Sequence, residues 1–143
     1  MFSKRNICFV ILLVLLPFIF STCKKDANPK EAIAYIAKGI AKHKLKDYHG
    51  AIKDYNMAIE VYPQSAEAFF FRGFAKYELK DNPGAIQDYT QAIKLNPTYA
   101  VAYLHRGITN LALGVHKAGC RDIRKAGELG DARADDILNK FCK

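Results

Sequence analysis

Apolar positions recur along this chain at helical spacing, and the arrangement returns with a period of about 34. In residues 66–97, Ala85, Ile86, Tyr89, Ala92 and Ile93 fall at i, i+1, i+4, i+7 and i+8, one face of an α-helix. Ala66 to Leu79 hold no proline and a single glycine, Gly73. Between these stretches, Lys80-Asp81-Asn82-Pro83 reads as a break, with Asn82 as N-cap and Pro83 in the first helical position. Asn96-Pro97 closes the unit. The pattern predicts two helices joined by a short turn. Gly73 and Ala85 let the pair approach closely, and Phe69 and Tyr89 fill the space beside them.

A shift by one period aligns Ala34, Ala68 and Ala102; Tyr35, Phe69 and Tyr103; Gly39, Gly73 and Gly107; and Leu45, Leu79 and Leu113. It also aligns Tyr55 with Tyr89, Pro63 with Pro97, Asp54 with Asp88 and Asp122, and Ala58 with Ala92 and Ala126. A period of this length marks a stacked helical array, in which each unit buries its apolar face against the next.

These residues resemble the tetratricopeptide repeat (TPR). Phe69-x-x-Arg72-Gly73, Ala85-x-x-x-Tyr89 and Pro97 follow its pattern, as do Tyr35-x-x-Lys38-Gly39, Ala51-x-x-x-Tyr55 and Pro63. Tyr103-x-x-Arg106-Gly107 with Ala126 gives a third unit. The resemblance implies an all-α fold: three helix-turn-helix hairpins, about 32–65, 66–99 and 100–131, in a short right-handed α-solenoid spanning 28–143. Asn28-Pro29-Lys30-Glu31 reads as its first helix start. Gly130-Asp131 predicts a break, then a capping helix over 132–141 with Asp131 as N-cap and Ile137, Leu138 and Phe141 as its buried side.

The chain departs from the family where Lys38, Arg72 and Arg106 replace a leucine, where Lys42, Lys76 and Asn110 replace a tyrosine, and at Gly119 and Gly127 of the third unit. Lys38, Arg72 and Arg106 are predicted to pair with Asp54, Asp88 and Asp122, between the two helices of a hairpin or between units. The alternative is a row of solvated surface charges.

In this family the first helix of each hairpin lines a concave face. Here it carries Ile33, Ile36 and Ile40, then Phe70, Phe74 and Tyr77, then Val101, Leu104, Ile108 and Leu111. Ile36, Ile40, Phe70, Phe74, Tyr77, Leu104, Ile108 and Leu111 are the expected contacts for a protein or peptide partner. The same residues also suit core packing between first helices. The family's grip on the C-terminal carboxylate of heat-shock chaperones uses Lys, Arg and Asn. The matching positions include Ile36, Ile40, Phe71, Phe74, Val101 and Leu104, with only His105 polar, so the resemblance does not extend to that activity.

The N-terminal segment, 1–22, follows a different pattern. Lys4 and Arg5 precede Ile7 to Phe20, an unbroken run without charge. A span needs about 20 apolar residues, and this run is shorter, so it suits a signal peptide over 1–22. Phe20-Ser21-Thr22-Cys23 resembles a bacterial lipobox, although Phe20 and Thr22 depart from its strict form. That implies lipid on Cys23, a linker over 23–27 and a membrane-anchored place in a bacterial cell envelope. A cleaved signal without lipid and an uncleaved anchor stay open. The extended chain from Cys23 to Asn28 reaches about 15–20 Å, a close tether. Cys120 and Cys142 lie equally far before and after Asp131, so an antiparallel hairpin sets them opposite. In an exported chain this predicts a disulfide, worth about 3 kcal/mol in the chain-entropy model.

Composition then narrows the function. With 143 residues, 50% of them hydrophobic, the chain suits one packed domain. The net charge of +8 falls to +6 without the segment 1–22. It divides as +3 over 24–62, zero over 63–96 and +3 over 97–143. That split makes no nucleic-acid stripe, and no nucleic-acid partner is expected. The chain has no G-x-S-x-G, P-loop, H-E-x-x-H or C-x-x-C motif. His43, His49, His105 and His116 read as surface residues, and no metal or cofactor is expected. The reading is a non-enzymatic interaction module, a lipid-anchored scaffold or adaptor. Its rival is an envelope enzyme accessory or ligand-binding protein acting on peptidoglycan or lipid, supported only by location and basic charge.

Overall fold

Four helix starts are held by side-chain caps. In the computed structural model, which describes residues 27–142, Asn28 opens α1 (Pro29–Lys44): its Oδ1 accepts from the Glu31 N–H at 3.2 Å, and its amide donates to the Glu31 carboxylate. Asp47 caps α2 (Tyr48–Val61) by accepting from Gly50 N–H at 2.9 Å. Ser65 caps α3 (Ala66–Glu78), and Asp81 caps α4 (Asn82–Leu95) by accepting from Gly84 N–H. The expected cap at Asn82 is therefore one residue late. A carboxylate is the better charge against the positive helix end, and Pro83 stands in the first turn either way. Then follow α5 (Ala100–Ala112), α6 (His116–Glu128) and α7 (Arg133–Phe141). Asp131 does not cap α7 in the expected way. Ala132 holds the N-cap position, while the Asp131 carboxylate accepts from the backbone and guanidinium of Arg133.

The described residues form an all-helical array. Helices pair as α1/α2, α3/α4 and α5/α6, neighbouring hairpins meet through α2–α3 and α4–α5, and α7 closes the end against α6. Lys46, Lys80 and Gly114, each one period after the last, turn the three hairpins with positive φ of 62°, 65° and 78°. Only the third is glycine, the residue that adopts this region without steric cost.

Close approach fixes each hairpin. A methyl group on Gly73 would come within 2.9 Å of the Tyr89 ring, and Gly39 stands against Tyr55 in the same way. Both tyrosines are fully buried. In the third hairpin Ile123 takes the tyrosine's place beside Gly107, and Gly119 meets Gly107 directly. The two glycines let α5 and α6 close over a smaller filler, which explains the third unit's departure at Gly119.

The predicted ion pairs form in the second and third hairpins. Arg72 grips Asp88 with Nε at 2.8 Å and Nη2 at 2.6 Å. Arg106 grips Asp122 at 2.7 and 2.9 Å. Both aspartates are 4% exposed. The remaining nitrogen, Nη1, reaches back one repeat, from Arg72 to Asn56 at 2.7 Å and from Arg106 to Thr90 at 3.1 Å. Pairing occurs both within hairpins and between units. The first hairpin corrects the expectation. Lys42, not Lys38, reaches Asp54 at 2.7 Å, and the Lys38 ammonium sits over the Tyr35 ring. A lysine has no fork to span two groups, and Lys42 lies one turn closer to the turn of the hairpin.

At the far end the Cα atoms of Cys120 and Cys142 are 5.6 Å apart, within the span of a disulfide. Phe141 is half-exposed rather than buried, while Ala134 supplies the covered side of α7 with Ile137 and Leu138. The signal segment at 1–22 and Cys23 lie outside the described residues.

Removing one partner from a buried pair leaves the other charge stranded. Asp88→Ala strands both Arg72 and Lys76, which contacts the same carboxylate at 2.8 Å. The expected cost is about 3 kcal/mol or more. Asp54→Ala frees only the more exposed Lys42 and is expected to cost about 1 kcal/mol or less. Urea denaturation of the two variants measures both, and equal losses would contradict this account of the array.

Candidate binding face

Residues one period apart on α1, α3 and α5 share one side of the array. Ile40, Phe74 and Ile108 stand in register there. Between α1 and α3 the side opens into two apolar hollows. One, of about 350 Å³, is lined by Pro29, Ala32, Ile33, Ile36, Tyr62, Ser65, Glu67 and Phe71. The other, of about 200 Å³, is lined by Ile40, His43, Lys44, Tyr55, Phe71 and Phe74. Phe71 walls both. A third hollow lies beyond α5, against α7, and includes Ile108 and Leu111.

An aromatic cluster separates the first two hollows from the third. The His43 ring stacks on Phe74 at 4.9 Å, and His105 meets Phe74 edge-on at 5.1 Å. His105 also packs edge-on against Phe70, which touches Tyr89 and Tyr99. His43, Phe74 and His105 thus bind α1 to α3 and α3 to α5. These two histidines are not the free surface residues that sequence alone suggests. Burial lowers the His43 pKa below its ordinary value, against a weaker opposing effect of Glu78. Burial pushes His105 down to about 4, with Arg133 adding to the shift and Asp131 opposing it. The imidazoles are neutral, apolar-packed rings at neutral pH.

Five of the eight expected contact residues line these hollows: Ile36, Ile40, Phe74, Ile108 and Leu111. Two of the others belong to the interior. Phe70 packs with Ala85, Tyr89 and Ala102, and Leu104 with Ile123, Ala126 and Ala134. Tyr77 is partly buried against the Phe70 cluster. Their positions on the helix turn them toward neighbouring helices, so Phe70 and Leu104 offer a partner no surface. Ile33, at 65% exposure, and Phe71 instead shape the opening. Phe69, Phe70 and Phe71 are consecutive, and successive helical residues point about 100° apart. Three phenylalanines in a row therefore face three directions, and the third reaches the hollows.

The chemistry of this face is apolar contact. The hydroxyls of Tyr55 and Tyr89 are buried without a hydrogen-bond partner. Burial raises the Tyr55 pKa to about 12 and Tyr89 further, so neither is a ready acid or base. Among the described residues no group of three or more His, Cys, Asp or Glu gathers as a metal site would.

Residues 22–65 match the model described as tetratricopeptide repeat, and residues 73–114 match a second described as TPR repeat. The hairpins of this chain are tetratricopeptide repeats. Solved structures agree. The first TPR of Spaghetti (RPAP3), bound to the HSP90 peptide SRMEEVD, has a TM-score of 0.77 and 26% identity, over 80% of this chain and 93% of its own. The Arabidopsis OM64 TPR domain has a TM-score of 0.76 and 27% identity, over 78% and 94%. The second TPR domain of human RPAP3, in complex with the HSP70 peptide SGPTIEEVD, has a TM-score of 0.75 and 28% identity, over 81% and 99%. No curated protein matches the chain.

The half-buried His105 predicts an acid-sensitive fold. Between pH 6.5 and about 4 the unfolded chain protonates His105 and the folded chain does not. Stability is therefore whole above 6.5, falls as pH drops through this window, and loses up to about 3 kcal/mol by pH 4. Carboxylates add their own acid dependence, so the test is a difference. Urea titrations at pH 7 and pH 4.5 should show a smaller loss for His105→Phe than for the parent chain. An unchanged loss would refute the assignment.

Proposed function

We propose that this array of tetratricopeptide repeats is a non-enzymatic interaction module. It takes an apolar or amphipathic segment of another protein on the face between α1 and α3. The observation that carries this reading is the pair of adjoining apolar hollows sharing Phe71, with Ile33 at their rim. Apolar area withdrawn from water contributes about 25 cal/mol per Å², and the face has little else to offer a partner. Similar TPR domains of known structure hold chaperone peptides, which supports a peptide or protein as the class of partner. A terminal-carboxylate grip does not follow, because this face presents Ile36, Ile40, Phe71 and Phe74 with Lys44 as its nearest cation.

The same proposal places the module at a bacterial envelope membrane, as a scaffold or adaptor. Lipid on Cys23 would hold it within about 15–20 Å of the surface. Two or three acyl chains, at roughly 0.8 kcal/mol per buried CH₂, anchor firmly. In that oxidising setting Cys120 and Cys142 carry a disulfide, which their separation of 5.6 Å supports.

Crosslinking in cells tests the binding face. Ile33→Asp adds a charge at an exposed position and should leave the helical signal unchanged while the crosslinked partner falls about tenfold. Phe74→Asp should do the same if it folds. An undiminished partner in folded Ile33→Asp removes this face from consideration. Metabolic labelling with a clickable fatty acid tests the anchor, and label persisting in Cys23→Ala would exclude it. Alkylation of the exported chain without reductant should modify neither Cys120 nor Cys142; reaction at both would exclude the bridge.

A further inference from the structure

We infer that the hollow at the C-terminal end of the array binds a single-chain fatty acid. It holds about 490 Å³ between α5, the start of α6, and α7, and is lined by Ile108, Leu111, Ala112, His116, Ile137 and Phe141. Small-ligand pockets occupy about 300–1,000 Å³. Apolar surface is concentrated here. Of six exposed large hydrophobic residues among those described, Leu113, Val115 and Phe141 stand on the α5–α6 turn and at the end of α7. Phe141 is itself part of the lining, which is apolar but for His116.

The rim sets the kind of occupant. His116 is the single polar residue of the lining, and no carboxylate is part of it. The Lys140 ammonium lies 5.2 Å from the centre of the Phe141 ring, which forms one wall. His116 is also the first residue of α6, whose opening N–H groups no side chain caps, a favourable setting for an anion. An apolar trough with a cationic mouth is complementary to a hydrocarbon tail bearing a negative head.

An extended peptide fits less well. Its N–H and C=O groups need hydrogen-bond partners when buried, and the lining supplies no amide or hydroxyl side chain. A hydrocarbon chain has no such groups. The site is separate from the α1–α3 face, across the Phe74–His105 cluster, and does not depend on what that face binds.

The test uses the full purified chain, cis-parinaric acid as a fluorescent probe and palmitate as competitor. Saturable binding at one site is expected, weakened about tenfold by Phe141→Ser. Lys140→Glu, on an exposed residue, should weaken palmitate several-fold but leave methyl palmitate unchanged, and in the parent chain palmitate should outcompete the ester. Ile33→Asp, at an exposed position on α1 that does not line the trough, should leave probe binding as it was. Circular dichroism establishes that each variant keeps its helices. Three results would overturn the assignment: binding untouched by both Phe141→Ser and Lys140→Glu, equal competition by palmitate and its ester, or a concentration-dependent dimer in light scattering that Phe141→Ser abolishes while probe binding persists.

Discussion

A carboxylate buried at 4% exposure cannot be left without a partner, and this constraint orders the array. Asp88 and Asp122 each sit on the second helix of a hairpin. An arginine fork from the first helix of the same hairpin meets each one. The fork has a third nitrogen to place, and it lands on Asn56 or Thr90 of the preceding repeat. One guanidinium thus sets the spacing within its own hairpin and the angle to the hairpin before it. The aromatic cluster and the hollows sit between first helices that make thin direct contact with one another. Their alignment is therefore inherited from the second helices, through these forks and the Gly–Tyr contacts beside them.

The hairpins, their order and the capping helix were legible in the sequence because its period is a property of the chain itself. The pairing of Arg72 with Asp88 was legible for the same reason. Extending it to Lys38 and Asp54 failed because periodicity aligns positions while the chemistry belongs to residue types. A lysine at the same place is a point charge on a flexible stem, and it settles over Tyr35 while Lys42 takes the aspartate. The row of Asn56 and Thr90 was hidden for the opposite reason. Their residue types differ, and only the structure reveals a common role as acceptors for the arginine one repeat on.

The open side of the first helices was legible only in part. A helical wheel separates inside from outside, but it does not distinguish a groove from the seam against the next hairpin. Phe70 and Leu104 fall in the seam, while Phe71 and Ile33 fall on the open side. The histidines were misjudged because their neighbours come from other repeats. His43, on α1, lies against the Phe74 ring of α3, and His105, on α5, meets the same ring. What reads as one continuous apolar strip is divided at Phe74, giving a face between α1 and α3 and a separate trough at the C-terminus.

The division coincides with a gradient in how the helices are secured. N-cap side chains hold α1 to α4, each cap contributing about 1 kcal/mol, whereas α5 and α6 have none and α7 has only the Asp131 carboxylate on its first N–H. The third hairpin also packs Ile123 where the others pack tyrosine, and closes on two facing glycines. Its own fork, Arg106 on Asp122, remains, so the loss falls on local helix stability and not on the placement of the repeat. The cross-link proposed between Cys120 and Cys142 would act at this less secured end. It would stabilise chiefly by restricting the unfolded chain, a route open to helices whose ends lack caps. The site proposed there borrows its wall from Phe141, the residue before Cys142, so the element that closes the array would also shape what the array's end can hold.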